Sequence, residues 1–146
     1  GGLTDVHKDG WGIAFFEGAG TRVFLDSQPS CTSPIAALVR NYPIRSKNVV
    51  AHIRKATQGV VALENTHPFM RELWGRYWIF AHNGNLPDFQ PELDGCFLPV
   101  GNTDSERAFC WLLQTLRQRF GNDAQRRARR ACPTSYANGI AFDTVT

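Results

Sequence analysis

The chain has 146 residues, of which 42% are hydrophobic and 20% charged, which is close to an average globular protein and excludes a fibrous one. A domain of this length buries roughly two-thirds of its unfolded surface, enough for a hydrophobic core. The net charge of +3 is modest, and no apolar run reaches the roughly 20 residues of a membrane-spanning helix. No signal-like segment opens the sequence, so we expect a cytoplasmic location and no membrane partner.

The cysteines, histidines and basic residues are not spaced as metal or nucleic-acid ligands would be. The cysteines are widely separated and favour reduced thiols over a zinc site or a disulfide; they are Cys31, Cys96, Cys110 and Cys132. The spacing of His52, His67 and His82 does not favour a metal. The run RRARR at residues 126–130 could contact nucleic acid, but we favour a solvated tail, with no nucleic-acid partner.

Two apolar runs separated by EGAG predict a β-hairpin at the start of the chain. The runs are Ile13 to Phe16 and Val23 to Leu25. The following SPIAALVRNYP predicts a short helix, because Pro34 suits the first helical position and Pro43 closes the segment.

Two later segments, NVVAHIRKATQG and RYWIFAHNG, each run from an apolar strand into polar residues. We expect both strands to be buried and to present these polar residues at their carboxyl ends, where chemistry is often located. The intervening VALENTHPFMRELWG has no hydrophobic period and predicts an irregular connection.

NTDSERAFCWLLQTLRQRFG is the clearest helix of the sequence. Thr103 and Glu106 predict a capping box, apolar residues recur at helical spacing, and Gly121 suits the position after the helix. Because the period is lost afterwards, we predict a partial domain at residues 1–121 and a divergent tail or truncated continuation at residues 122–146.

Four polar segments could together bind a small zwitterion: DGWGIA, RKATQG, HNGNL and TDSE. An amino acid with a side-chain amide could place its α-carboxylate on Arg54, with the Thr57 hydroxyl as a further donor. Its α-ammonium could pair with Asp104. The Asn83 side chain and the Gly84 backbone N–H could donate to a developing oxyanion.

Each residue of this set also has a plainer structural explanation. Arg54 could form an ordinary ion pair at a sheet edge, and Asp104 could merely favour the helix macrodipole. Asn83 and Gly84 form a dipeptide that is common in hairpin turns. The order of all four segments is what favours a binding site.

The four segments together resemble the class II glutamine amidotransferases. AHNGNL is similar to the oxyanion motif of that family, RKATQG to its glutamine-binding loop, TDSE to its later Thr-Asp-Ser-Glu, and DGWGIA to its early Asp-Gly-x-Gly. The resemblance runs from about Lys8 to Phe120 and is closest to stand-alone bacterial amidotransferase-like proteins. It implies an α+β fold, the four-layer α/β/β/α sandwich of N-terminal-nucleophile hydrolases, incomplete at both ends.

The resemblance implies an enzyme that hydrolyses the side-chain amide of glutamine through a cysteinyl thioester, without a cofactor or metal. Arg54 and Thr57 would hold the substrate carboxylate and Asp104 its ammonium, and Asn83 with Gly84 would form the oxyanion hole.

The family's nucleophile is an N-terminal cysteine. The sequence begins at Gly1, and no cysteine fits that position. We therefore expect this chain to be inactive as it stands, with a small molecule as its partner. Two alternatives are a γ-glutamyl amide hydrolase that acts on a larger thiol conjugate and a nucleophile-less, glutamine-binding pseudoenzyme.

Overall fold

A computed structural model describes residues 8–55, 60–130 and 139–142, with side chains described up to residue 121. Within these ranges the chain forms two small β-sheets, two α-helices and one 3₁₀ turn. In chain order the elements are β1 (Trp11–Glu17), β2 (Gly20–Asp26), α1 (Pro34–Asn41), β3 (Val49–Ile53), the 3₁₀ turn Leu63–Asn65, β4 (Phe69–Leu73), β5 (Arg76–His82), α2 (Asp104–Arg130) and β6 (Gly139–Phe142).

The first sheet is antiparallel, with the strand order β2-β1-β3. β1 and β2 form the predicted hairpin, which is confirmed, and Gly18 takes a positive φ of 63° in its turn. The prediction that β3 is buried is wrong. β3 lies at an edge of this sheet, and its alternate residues Val49 and Ile53 are 47% and 53% exposed because they face away from the second sheet.

The second sheet has the order β4-β5-β6, with β4 antiparallel and β6 parallel to β5. β4 lies inside the segment predicted to be irregular, so that prediction is wrong for residues 69–73. Phe69 and Leu73 are buried, whereas Arg71 between them pairs with Glu106 of α2. A charged side chain on the inner face interrupts the apolar alternation that marks a strand.

Both predicted helices are present. α1 begins at Pro34, and the Ser33 hydroxyl caps it by accepting from the Ala36 N–H at 3.1 Å. α2 begins at Asp104, and Gly121, the predicted end, forms a kink with φ 29° and ψ −126°. The first helical stretch therefore ends at Gly121 as predicted, and a second stretch, which was not predicted, continues to Arg130. The domain boundary after residue 121 stays a prediction.

The core consists of two apolar clusters on opposite faces of the second sheet. Ala14, Phe16 and Ile79 pack between the two sheets. The cluster against α2 contains Phe69, Leu73, Phe80, Phe109 and Leu113, and the rings of Phe80 and Phe109 stack 5.1 Å apart. The layers are therefore sheet, sheet and helix, which confirms the α+β class.

Among the described residues, none of the helices combines the length and the apolar character that a membrane-spanning helix needs.

Candidate functional site

Arg54 follows β3 directly and is only 4% exposed. Its guanidinium donates to the carbonyl of Val60 at 3.2 Å. Its backbone N–H donates to the Gly10 carbonyl at 2.8 Å, and the Asp9 N–H donates to the Arg54 carbonyl at 3.4 Å. These bonds join the segments RKATQG and DGWGIA. Thr57 lies outside the described residues, so its role stays a prediction.

Gly12 allows the segment DGWGIA to pack closely against the residues before β4. A Cβ atom at this position would lie 2.2 Å from the His67 carbonyl oxygen and 2.4 Å from Cδ2 of Leu25. Any larger residue would therefore push β1 away from His67. The glycine of DGWGIA is explained by this close approach.

His82, Asn83 and Gly84 lie where β5 ends. His82 is buried, and its Nδ1 lies 3.1 Å from the Ser105 hydroxyl of α2. Asn83 and Gly84 are exposed, and Gly84 has a φ of 147°. The hairpin interpretation is wrong, because the chain continues to α2 and β6 then pairs parallel to β5.

Asp104 connects the start of α2 to the loop that follows Gly84. Its Oδ2 accepts from the Leu86 N–H at 2.6 Å. Its Oδ1 accepts from the Ser105 N–H at 2.6 Å and from the Ser105 hydroxyl at 3.1 Å. The carboxylate therefore does more than complement the helix dipole, since it brings TDSE and HNGNL together.

The predicted capping box is only half formed. The Thr103 hydroxyl accepts from the Glu106 N–H at 3.2 Å, as a cap should. The Glu106 carboxylate instead accepts from the N–H groups of Val100 at 3.1 Å and Gly101 at 2.8 Å, and it pairs with Arg71 at 2.5 Å. Glu106 therefore holds the loop before α2, because a cation and two amides compete for its oxygens.

Asn65 joins two of the predicted segments, although it belongs to none of them. Its Nδ2 donates to the Val60 carbonyl at 3.0 Å, the same carbonyl that accepts from Arg54. Its Oδ1 accepts from the Asn102 N–H at 2.9 Å, two residues before Asp104. The side chain is 2% exposed. Its position in an aperiodic segment, NTHPF, gave no pattern that could point to this role.

His67 is a buried, neutral imidazole in the wall of the site. It is 5% exposed, and its ring lies 4.4 Å from His52 and 4.5 Å from Phe69 between centroids. Neither ring nitrogen has a hydrogen-bond partner in the described part of the chain. Burial, followed by the positive charges of His52, His82 and Arg54, lowers its pKa from 6.5 to about 3. His67 therefore adds no charge beside Arg54 near neutral pH.

The described cysteines are free thiols. Cys31 and Cys96 are exposed, whereas Cys110 is buried in α2, and burial raises the pKa of its thiol. Cys132 lies outside the described residues. Across residues 8–55, 60–130 and 139–142, no group of three or more His, Cys, Asp or Glu side chains could hold a metal ion.

The described contacts bring parts of all four predicted segments into one polar network. Arg54 supplies a cation, Asp104 an anion, and the turn after β5 an amide side chain beside a glycine N–H. Such a set can bind an amino-acid zwitterion and stabilise an oxyanion.

The family model described as "Glutamine amidotransferases class-II" matches residues 1–142, and the chain belongs to this family.

Among individual proteins, the chain is similar to YafJ of Escherichia coli (strain K12), which carries the name of a glutamine amidotransferase. The two are 64% identical over 120 residues, which cover 82% of this chain and 47% of YafJ. The crystal structure of a predicted glutamine amidotransferase from Pseudomonas aeruginosa has 48% identity and a TM-score of 0.62 over 88% of this chain and 52% of that one. The chain thus spans about half the length of these relatives.

A more distant relative carries a different name. Gamma-glutamyl-hercynylcysteine sulfoxide hydrolase of Mycobacterium tuberculosis (strain CDC 1551 / Oshkosh) is 32% identical over 102 residues, which cover 66% of this chain and 36% of that protein. A relative of this chain therefore carries the name of a hydrolase of a γ-glutamyl compound.

Proposed function

We propose that the chain carries the glutamine-binding and oxyanion-stabilising residues of a glutaminase site, in a protein with the four-layer fold of N-terminal-nucleophile hydrolases. In the proposed reaction a cysteine thiolate attacks the amide carbon of glutamine and forms a tetrahedral intermediate. Collapse of the intermediate breaks the C–N bond and releases ammonia, and water then hydrolyses the thioester. The substrate is a small molecule, and no cofactor takes part.

The hydrogen bonds of Asp104 carry this proposal. A carboxylate has about four lone-pair positions, and the contacts to Leu86 and Ser105 in the described part of the chain occupy three of them. The remaining position, on Oδ2, suits the α-ammonium of the substrate. Arg54, together with Thr57, would hold the α-carboxylate, because a guanidinium can bind both carboxylate oxygens at once.

Asn83 and Gly84 form the oxyanion hole in this proposal. The amide side chain and the backbone N–H would donate to the oxygen that becomes negative in the tetrahedral intermediate. In enzymes of this kind the loss of one such donor costs about 10²–10³ in turnover. The positive φ of Gly84 favours glycine at this position, so the direction of its N–H depends on the absence of a side chain.

Binding of L-glutamine to the chain, measured by isothermal titration calorimetry, tests the proposed clamp. Arg54→Lys loses the bidentate geometry and Asp104→Asn loses the charge, so we expect each to weaken binding by about tenfold or more. Arg22→Lys and Asp94→Asn are the matched controls, since these side chains bond only to exposed neighbours. No binding of glutamine, or equal loss in the controls, would contradict the proposal.

A γ-glutamyl amide hydrolase is the second candidate. Arg54 and Asp104 would contact only the glutamyl end of a substrate, and the exposed Asn83 and Gly84 leave room for a larger leaving group. The name of the M. tuberculosis relative favours this candidate. Titration with a γ-glutamyl conjugate of a thiol amino acid separates the two, since tighter binding of the conjugate than of glutamine would favour the hydrolase.

The third candidate is a glutamine-binding pseudoenzyme. Among the described residues, the exposed thiols of Cys31 and Cys96 lie in loops outside the four site segments, and the pKa of the buried Cys110 thiol is raised. A thiolate is the attacking species in amide hydrolysis by cysteine. We propose that the chain by itself binds glutamine without hydrolysing it.

A further inference from the structure

Asn65 lies between the two charged groups of the proposed site. From its Nδ2 the contacts run through the Val60 carbonyl to the Arg54 guanidinium. From its Oδ1 they run through the Asn102 N–H to the start of α2, where Asp104 is the first residue. One buried side chain thus links the position of the cation to that of the anion.

We infer that Asn65 is a positioning residue that fixes the spacing between Arg54 and Asp104. The inference rests on the proposed function, because the spacing matters only if both groups hold one substrate. The α-carboxylate and α-ammonium of an amino acid are attached to the same carbon, so their separation cannot adapt to the protein. The protein must therefore present its two charges at a fixed distance.

The packing around Asn65 leaves its side chain little freedom. A Cβ atom at Gly101 would lie 2.2 Å from Oδ1 of Asn65 and 2.8 Å from the Glu64 carbonyl oxygen. The loop before α2 therefore sits directly on the asparagine. Glu106 holds the same loop from the other side through the N–H groups of Val100 and Gly101.

The Val60 carbonyl makes the link to Arg54 direct. It accepts from Asn65 at 3.0 Å and from Arg54 at 3.2 Å, so both donors share one oxygen. If the asparagine amide is lost, this carbonyl keeps only the Arg54 donor, so the guanidinium is held by a less fixed acceptor. Asn65→Leu removes both polar contacts at nearly constant volume, whereas Asn65→Asp keeps the acceptor for Asn102 and removes the donor to Val60.

Gln114 offers a matched control on the same helix. It is also a buried amide that accepts from one backbone N–H, that of Asp94 at 2.8 Å, and donates to one carbonyl, that of Glu92 at 3.2 Å. It lies about 15 Å further along α2 than Asp104. Gln114→Leu therefore removes contacts of the same kind. These contacts, unlike those of Asn65, do not connect Arg54 to Asp104.

The test compares three ligands by NMR shift titration of the whole chain. L-Glutamine carries both charged groups, glutaramate lacks the α-ammonium, and 4-aminobutanamide lacks the α-carboxylate. We expect Asn65→Leu and Asn65→Asp to weaken glutamine binding by about tenfold, but each single-ended ligand by less than about threefold. A ligand that uses one group only does not depend on the spacing. Gln114→Leu should leave the affinity for all three unchanged.

The outcomes separate this inference from the proposed function. If Asn65→Leu weakens all three ligands equally, or weakens none, Asn65 does not set the spacing, while the binding of glutamine to the unaltered chain still stands. If the unaltered chain does not bind glutamine, the proposed function fails and the inference fails with it. If Asn65→Leu is unfolded by circular dichroism, Asn65→Asp alone carries the test, and the same outcomes apply.

Discussion

His67 shows how its surroundings fix the charge of one residue. A buried imidazole with no hydrogen-bond partner in the described part of the chain has nothing to stabilise its cation, and Arg54 and two further histidines add repulsion. Its pKa therefore falls to about 3. Because the ring is neutral near neutral pH, His67 adds no positive charge beside Arg54.

The pKa of His67 predicts how the free energy of unfolding depends on pH. The unfolded chain binds a proton below its ordinary pKa of 6.5, whereas the folded chain does so only below about 3. Between these values the unfolded state binds more protons, so stability falls as the pH falls, by at most about 1.4 kcal/mol per pH unit from this group. Chemical denaturation across this pH range should show that the free energy of unfolding falls less steeply with decreasing pH in His67→Leu than in the unaltered chain.

NMR of the imidazole nitrogens checks the same property directly. The His67 signals should stay those of a neutral ring from about pH 8 to about pH 5, where an ordinary histidine becomes protonated. Titration of His67 near its ordinary pKa would show that burial does not control its charge.

The sequence was sufficient to propose some site residues but not others. Arg54, Asp104, Asn83 and Gly84 stand in segments whose residue types match the chemistry of an amino-acid ligand. Asn65 could not be found this way, because its role depends on Val60 and Asn102, which lie 5 and 37 residues away and carry no motif. Contacts between distant segments leave no periodic pattern in the chain.

At the scale of elements, the ion pair between Arg71 and Glu106 fastens β4 to α2. The side chain of Glu106 is 2% exposed, and Arg71 also donates to the Leu98 carbonyl at 3.5 Å. The pair therefore also fixes the loop that leads into α2. Removing the cation leaves a buried carboxylate that only amide groups can compensate.

Arg71→Met should destabilise the fold by roughly 3 kcal/mol, because the partner charge stays buried. Arg22→Met removes the same kind of side chain from an exposed pair with Glu17, whose side chains are 42% and 37% exposed. Solvent screens such an exposed pair, so its loss should change the stability far less than the loss of Arg71. Urea denaturation gives the free energy of unfolding of both variants. Equal decreases would show that Arg71 contributes little to stability through Glu106.

Elements that follow local sequence rules could be predicted, whereas elements that depend on distant contacts could not. The hairpin of β1 and β2 and the start of α2 follow local rules of turn residues and apolar spacing, and both are present. β4 was missed because Arg71 stands where an apolar residue was expected, and its partner is 35 residues away. The exposure of β3 could not be predicted, because its apolar run gives no hint that one face is exposed.

At the scale of the whole molecule, we expect the chain to bind glutamine without releasing ammonia. A coupled glutamate dehydrogenase assay measures the release. We expect no rate above that of buffer, because the described cysteines lie outside the four site segments or, for Cys110, have a raised pKa. Release that disappears in Asn83→Ala would show that the site is catalytic in this chain. Release that persists in this variant would indicate a contaminating enzyme.

The parallel pairing of β6 with β5 has a consequence for folding during synthesis on the ribosome. Ile79 pairs with Gly139, 60 residues later, whereas Leu73 and Arg76 of the β4–β5 hairpin are near neighbours. At translation speeds of about 5–20 residues per second, β5 waits roughly 3 to 12 seconds for β6. During that interval one backbone edge of β5 can template association with other nascent chains. The rate of synthesis thus sets how long the strand that leads to Asn83 is open to misassembly.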